Sequence, residues 1–285
     1  TPNTASAWFN LHLVHEQRGY AQRALEDLRQ ARKLMPRSDR IYAAYLAFLS
    51  RHDKPAALAE RIKIARENPE DMNNLRAIAM LYIDTGNLDQ ARNIIGRLLK
   101  DDRENLRNLL VAASYFNKSG KFASGRKLLE NNISRKGEEA TAEDYMALAR
   151  YLRDGGLVQP AMEPYKKAIE TAEADNTAPK RELADWFFNL EMYERALPLY
   201  EQIMEVEPSD RVWMRLIENL VRLEKTEQAS REISEFIEKN GIDTSLALLR
   251  GLNALGSKNL RVAEESFEDA VRLDPNNAQA YLYRA

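Results

Sequence analysis

An all-α, right-handed solenoid of about eight tandem helix-turn-helix repeats, followed by a truncated ninth helix, is the fold this sequence predicts. Three observations predict it. Small, aromatic and proline residues recur together at intervals of 33 to 36 positions. Between these markers the segments are amphipathic at helical spacing. Glycines fall where two such segments must join, and recurrence at this period is the signature of a repeat architecture.

The recurrence is clearest toward the end of the chain, where Gly251, Ala263, Phe267, Ala270 and Pro275 are separated by 12, 4, 3 and 5 positions. Ala196, Tyr200 and Pro208 repeat part of that spacing, and Trp8, Leu11, Gly19, Ala24, Leu28, Ala31 and Pro36 do so at the front. Repeats therefore begin near Ala5, Asp39, Met72, Leu106, Ala142, Thr177, Asp210 and Thr244, with a partial ninth from Ala278. A single solenoid over residues 1–285 is the expected domain organisation.

Each marker has a physical reason. Counting from each start, Ala79, Ala113, Ala149 and Ala184 occupy position 8, and Ala91, Ala161, Ala196, Ala229 and Ala263 occupy position 20. Small side chains there let the two helices of a repeat cross closely. Tyr82, Phe116, Leu152 and Phe187 at position 11 are bulky knobs between them. Gly86, Gly120 and Gly156 at position 15 permit a left-handed turn. Pro36, Pro208 and Pro275 end the second helix, because proline cannot continue the hydrogen-bond ladder. Repeat two departs from the pattern, with Leu58 in place of the position-20 alanine and Pro69 one residue early. Pro164 and Pro198 fall inside second helices and are expected to bend them. Extra residues around Lys136–Thr141 and Ala172–Thr177 predict longer loops.

These spacings resemble the tetratricopeptide-repeat (TPR) family, with several matching positions per repeat over almost the whole chain. The resemblance implies that the first helix of each repeat lines a concave groove, into which positions 2, 5, 6, 9, 12 and 13 point. In repeats three to seven those positions carry nine basic and six acidic residues, on a chain of formal charge −2. The implied groove is mildly basic, and arginine suits bidentate capture of carboxylates. Arg76, Arg107, Arg150, Arg181, Arg211 and Arg215, with Phe188, are the expected partner-binding residues for an acidic protein segment. Phe9 and Leu13 at one end, and Leu248, Leu252 and Leu255 at the other, are expected apolar contacts. The chaperone-binding branch of the family grips a terminal carboxylate with a Lys/Asn clamp. Arg211 and Arg215 match its last pair in kind, but Met146, Arg150 and Glu182 depart from the remainder, which disfavours that role.

Composition excludes other classes. Forty-two basic against 44 acidic residues leave no global field to attract nucleic acid or an anionic membrane. No apolar run reaches the length of a membrane span, so no membrane contact is expected from this fragment. Cysteine is absent, which removes disulfides, thiol catalysis and cysteine-based zinc sites. His12 and His15 are three apart on one helix, but no third ligand stands near, so they read as packing residues. His52 reads as a turn residue. Asp101-Asp102 and Glu138-Glu139 read as solvated caps, Gly155-Gly156 as an inter-helix turn, and Trp8, Trp186 and Trp213 as structural aromatics. No catalytic residue, metal or cofactor is expected, and the chain reads as a non-enzymatic scaffold for protein partners.

The pattern begins without an initiating Met and stops inside a helix, which reads as part of a longer array. Long cysteine-free bacterial arrays of this kind resemble the periplasmic portion of exopolysaccharide exporters, where the solenoid recruits polymer-modifying enzymes; a periplasmic location follows from that resemblance. The alternative is a helical-repeat protein of RNA processing, against which the charge and a pI near 6.1 both weigh.

Overall fold

The structure, a computed structural model, describes residues 4–284 and contains seventeen α-helices and no strand among them. The fold class expected from the sequence is the one observed. The helices pair in chain order: α1 (Ala5–Gln17) with α2 (Ala21–Leu34), α3 (Asp39–His52) with α4 (Lys54–Glu67), and α5 (Met72–Asp84) with α6 (Leu88–Asp101). Then come α7 (Leu106–Lys118) with α8 (Phe122–Lys136), followed in chain order by α9 (Ala142–Asp154) and α10 (Val158–Thr171), and then α11 (Ala178–Asn189) with α12 (Tyr193–Val206). The series ends with α13 (Asp210–Arg222) and α14 (Thr226–Asn240), α15 (Thr244–Gly256) and α16 (Leu260–Leu273), and α17 (Ala278–Arg284). Backbone contacts divide the chain into two compact units, Thr1–Ala140 with Arg150–Val158, and Thr141–Ala149 with Gln159–Ala285.

In the first unit, side-chain oxygens start the helices. Thr4, Ser38, Asp53 and Asp71 accept from the backbone N–H three residues on, at 2.9–3.4 Å, satisfying donors that have no partner within the helix. The core forms where small residues meet large ones, as Ala24, Leu28, Phe48 and Leu49 do in one cluster and Ala79, Ala91, Ile95 and Leu98 in another. Repeat two departs from the pattern because its inter-helix turn is shortened. One residue separates α3 from α4, and Ala57, fully buried, takes the crossing position one place ahead of Leu58. The early Pro69 follows from the same one-residue loss. His52, expected on a turn, is the last residue of α3 and contacts Glu16 Oε1 at 3.1 Å.

The crossing position of repeat four is Gly125, and tertiary structure explains it. Tyr151 stacks on Phe122 with ring centroids 4.5 Å apart and donates its hydroxyl to the Phe122 carbonyl at 3.0 Å. A Cβ on Gly125 would collide with that hydroxyl and lie 2.6 Å from Tyr151 Cζ. The turn glycines Gly86 and Gly120 have φ of 79° and 73°, the left-handed conformation that costs a side chain about 1–2 kcal/mol. The Lys136–Thr141 connection contains a short 3₁₀ turn over Gly137–Glu139.

In the second unit, Tyr165, Ala168, Ala196, Tyr200, Ile203, Ile217 and Ala229 are fully or almost fully buried. Glu191, Glu224 and Lys258 occupy the inter-helix turn with φ of 55–59°, so three repeats make the left-handed turn without glycine. The helices α10 and α12 continue through Pro164 and Pro198. Each proline removes one ladder bond and leaves the rest of its helix intact. Trp186 lies between Tyr165 and Phe187, at 5.5 and 6.2 Å between ring centroids, a packing position.

Candidate partner-binding groove

Four of the residues expected at the groove, Arg211, Arg215, Leu248 and Leu252, line one cavity within the second unit. Arg211, Met214, Arg215, Glu218 and Arg222 from α13, Ser245, Leu248, Leu249 and Leu252 from α15, and Gln279 from α17 line a depression of about 390 Å³. They occupy positions 2, 5, 6, 9 and 13 of α13, positions 2, 5, 6 and 9 of α15, and position 2 of α17. Helical spacing sets these on one stripe of each helix, and the stacking of successive first helices brings the stripes together.

The cavity has a basic side and an aliphatic side. Arg211 is 80% exposed, with Asp185 Oδ2 at 4.0 Å. Arg215 donates to Glu218 Oε2 at 2.9 Å, and Arg222 lies 3.9 Å from Glu218 Oε1. One carboxylate thus serves two guanidiniums, leaving the lining net positive. Opposite them stand Leu248, which is also buried in the core of α15 and α16, and the half-buried Leu252. Leu255 is 43% exposed and does not line this depression.

Other expected binding residues have internal partners. Arg181 bonds the Thr177 hydroxyl at 2.8 Å and pairs with Glu207. The Thr177 hydroxyl and then Arg181 hold the Glu207 carboxyl below the usual carboxylate range. The ring of Phe188 meets Tyr193 and Tyr200 edge-on at 5.3 and 6.4 Å, and the Arg215 guanidinium covers it at 4.9 Å. Phe188 therefore steadies Arg215 through a cation–π contact rather than lining the cavity. Behind it, Tyr200 donates to Asp185 Oδ1 at 2.8 Å; burial and that bond push the phenol far above its ordinary pKa.

In the first unit, Arg76 donates to Asn108 Oδ1 and Asn73 Oδ1, both at 2.8 Å. The same Asn108 donates to the Leu98 and Asp102 carbonyls at 2.9 Å, so Arg76 belongs to a hydrogen-bonded tie between repeats. Arg107 is exposed and Arg150 half-buried. Met80, Ile83 and Asp84 of α5 and Ser114, Asn117 and Lys118 of α7, at positions 9, 12 and 13, line a shallow depression of about 460 Å³. Phe9 packs in the core beneath Arg40, at 4.8 Å, and Leu13 is 50% exposed.

The two neighbouring histidines are used inside the unit: His12 is buried with Nδ1 against the Phe9 carbonyl, and His15 Nδ1 lies 2.6 Å from Asp27 Oδ2. Asp102 accepts from the backbone N–H of Glu104 and Asn105 at 3.0 Å, the work of a turn cap. Sequence reasoning missed Met214, Leu249, Ser245 and Gln279 as lining residues, although the position count that found Arg211 and Leu248 applies equally to them.

Comparison with known proteins agrees with this architecture. Residues 248–285 match the tetratricopeptide repeat family. No curated protein matches the sequence. The C-terminal part of a TPR repeat-containing protein from Cytophaga hutchinsonii is similar in structure, at 14% identity, a TM-score of 0.58, and coverage of 85% of this chain and 99% of that one. Weaker likenesses are to the APC/C hetero-tetramer Cut9–Hcn1, at 15% identity, TM-score 0.43 and 93% of this chain, and to pilF of Pseudomonas aeruginosa, at 14% identity, TM-score 0.48, 76% of this chain and 97% of that one. This chain spans about half, 52%, of the Cut9–Hcn1 chain it matches. At these identities the likeness is one of fold alone, the all-α helical-repeat solenoid.

Proposed function

We propose that this chain is a non-enzymatic protein-interaction scaffold, and that the α13–α15–α17 groove holds an acidic segment of a partner protein carrying an aliphatic side chain. The observation that carries this reading is the convergence of Arg211, Arg215 and Arg222 with Leu248, Leu249 and Leu252 in one depression. The arginines suit carboxylates bidentately, and the leucine wall suits an apolar side chain between them. In the first unit, exposed Arg107 is a separate candidate contact, whereas Arg76 and Arg181 contribute by fixing their repeats. A part in exopolysaccharide export, with a polymer-modifying enzyme as partner in the periplasm, is a narrower form of the same reading and rests on the likeness of repeat architecture alone.

A fluorescein-labelled peptide of alternating Glu and Leu, followed by anisotropy, tests the groove. The variant Arg211→Glu/Arg222→Glu leaves the Arg181–Glu207 tie untouched, so its helicity should match the parent. Its affinity for the peptide should fall about tenfold or more, and parent binding should weaken with salt. Equal affinity in the two proteins would refute the groove. Binding of single-stranded RNA in preference to the peptide would replace this reading with the nucleic-acid one.

A further inference from the structure

A separate cavity in the second unit carries the opposite charge. It lies between α12, the start of α13 and α14, encloses about 480 Å³, and shares no residue with the arginine groove. Trp213, expected to be wholly structural, is only half-buried and forms one wall. Its Nε1–H donates to Glu232 Oε2 at 2.6 Å, and Phe236 supports its ring edge-on at 5.1 Å. Glu201 and Glu205 from α12 and Glu235 from α14 surround it, all exposed.

These carboxylates lack cations. Among the described residues none of Glu201, Glu205, Glu232 or Glu235 has a basic group within ion-pair distance. Elsewhere in the same unit, carboxylates meet them repeatedly: Glu218 serves two arginines and Glu170 two lysines. The one basic residue lining the cavity is Lys239, and its ammonium sits over the indole face, 5.5 Å from the ring centroid. The chain thus shows independently that a cation fits against this ring, while four acidic groups beside it stay uncompensated.

We propose that this cavity docks a lysine- or arginine-bearing segment of a partner protein, with a cationic side chain entering between α12 and α14. Trp213 supplies a π-face and Glu201, Glu205 and Glu235 supply the charge. A protein segment fits better than a small cation because the cavity is open, has room for an extended side chain, and presents its carboxylates from two different helices. The second unit then offers two docking surfaces of opposite preference, and either one stands or falls without the other.

The test uses the full chain and a fluorescein-labelled peptide of repeated Arg-Lys-Ala triplets, read by anisotropy at low and moderate salt. The variant Glu201→Gln/Glu205→Gln/Glu235→Gln should bind about tenfold more weakly. A control, Glu264→Gln/Glu265→Gln/Glu268→Gln on α16, removes the same charge from exposed positions of the same unit and should bind within about twofold of the parent. Lys239→Ala removes the resident ammonium and should tighten binding. All substituted residues are exposed, and circular dichroism checks that the helices persist. Absence of peptide binding by the parent, equal losses in the two triple variants, or weaker binding by Lys239→Ala would overturn the proposal.

Discussion

The same substitution, glycine to alanine inside a helix, should have opposite effects at Gly96 and Gly251. Both lie within helices, α6 and α15, where alanine is intrinsically better by about 1 kcal/mol. Around Gly96 a Cβ meets nothing within 4 Å, so Gly96→Ala should stabilise the protein by about 0.5–1 kcal/mol. At Gly251 the added Cβ would lie 2.7 Å from Phe267 Cδ1 and Cζ and closer still to Cε1. Phe267 has little room to withdraw, being 3% exposed and stacked on Tyr283 at 5.5 Å. Overpacking of this kind costs about 1–3 kcal/mol, so the net effect of Gly251→Ala runs from about zero to a loss of about 2 kcal/mol. Repeat arrays need not unfold in one step, so the urea midpoint should be read together with amide exchange in α15 and α16. Gly251→Ala should raise exchange there, whereas in a Phe267→Leu background, with the ring gone, it should become stabilising. A gain in the parent background as large as that of Gly96→Ala would refute the close packing of Gly251 on Phe267.

Two further predictions follow from burial. Ala196 and Ala263 are 0% and 2% exposed, so leucine at either should cost about 1–3 kcal/mol, while Lys225→Leu on the surface should stay within about 0.5 kcal/mol. Indistinguishable melting temperatures for the three variants would contradict those helix crossings. Burial lowers the pKa of His12 from its ordinary value near 6.5, so the unfolded chain takes up the proton first as pH falls. The stability of neutral His12 is therefore fully present above about pH 6.5 and declines below it. Amide protection factors in α1 and α2, which divide out the intrinsic slowing of base-catalysed exchange at lower pH, should fall between pH 7 and 5.5, and His12→Leu should abolish that fall; an unchanged profile in the variant would show that another group is responsible.

Part of the candidate groove was legible in the sequence because its lining follows from local helical spacing. Once α13 and α15 begin at Asp210 and Thr244, their 3.6-residue period places Arg211, Arg215, Leu248 and Leu252 on matching stripes. What that period does not record is whether a stripe residue is already engaged. Arg76 is held by Asn108, 32 residues later, and Arg181 by Glu207, 26 residues later; Phe188 lies under Arg215. The acidic cavity at Trp213 was hidden for the same reason, since its carboxylates come from two second helices that no single repeat contains.

The sequence by itself determined the helix pairs, their starts and their close crossings, because these depend on side-chain size and turn chemistry within about 34 residues. Tertiary structure decided the exceptions. Ala57 replaces Leu58 at a crossing because the turn before it lost a residue, and Gly125 is required because Tyr151 of the following repeat lies across it. It also decided which charges remain available to a partner, because that depends on neighbours brought from other repeats rather than on the period within one.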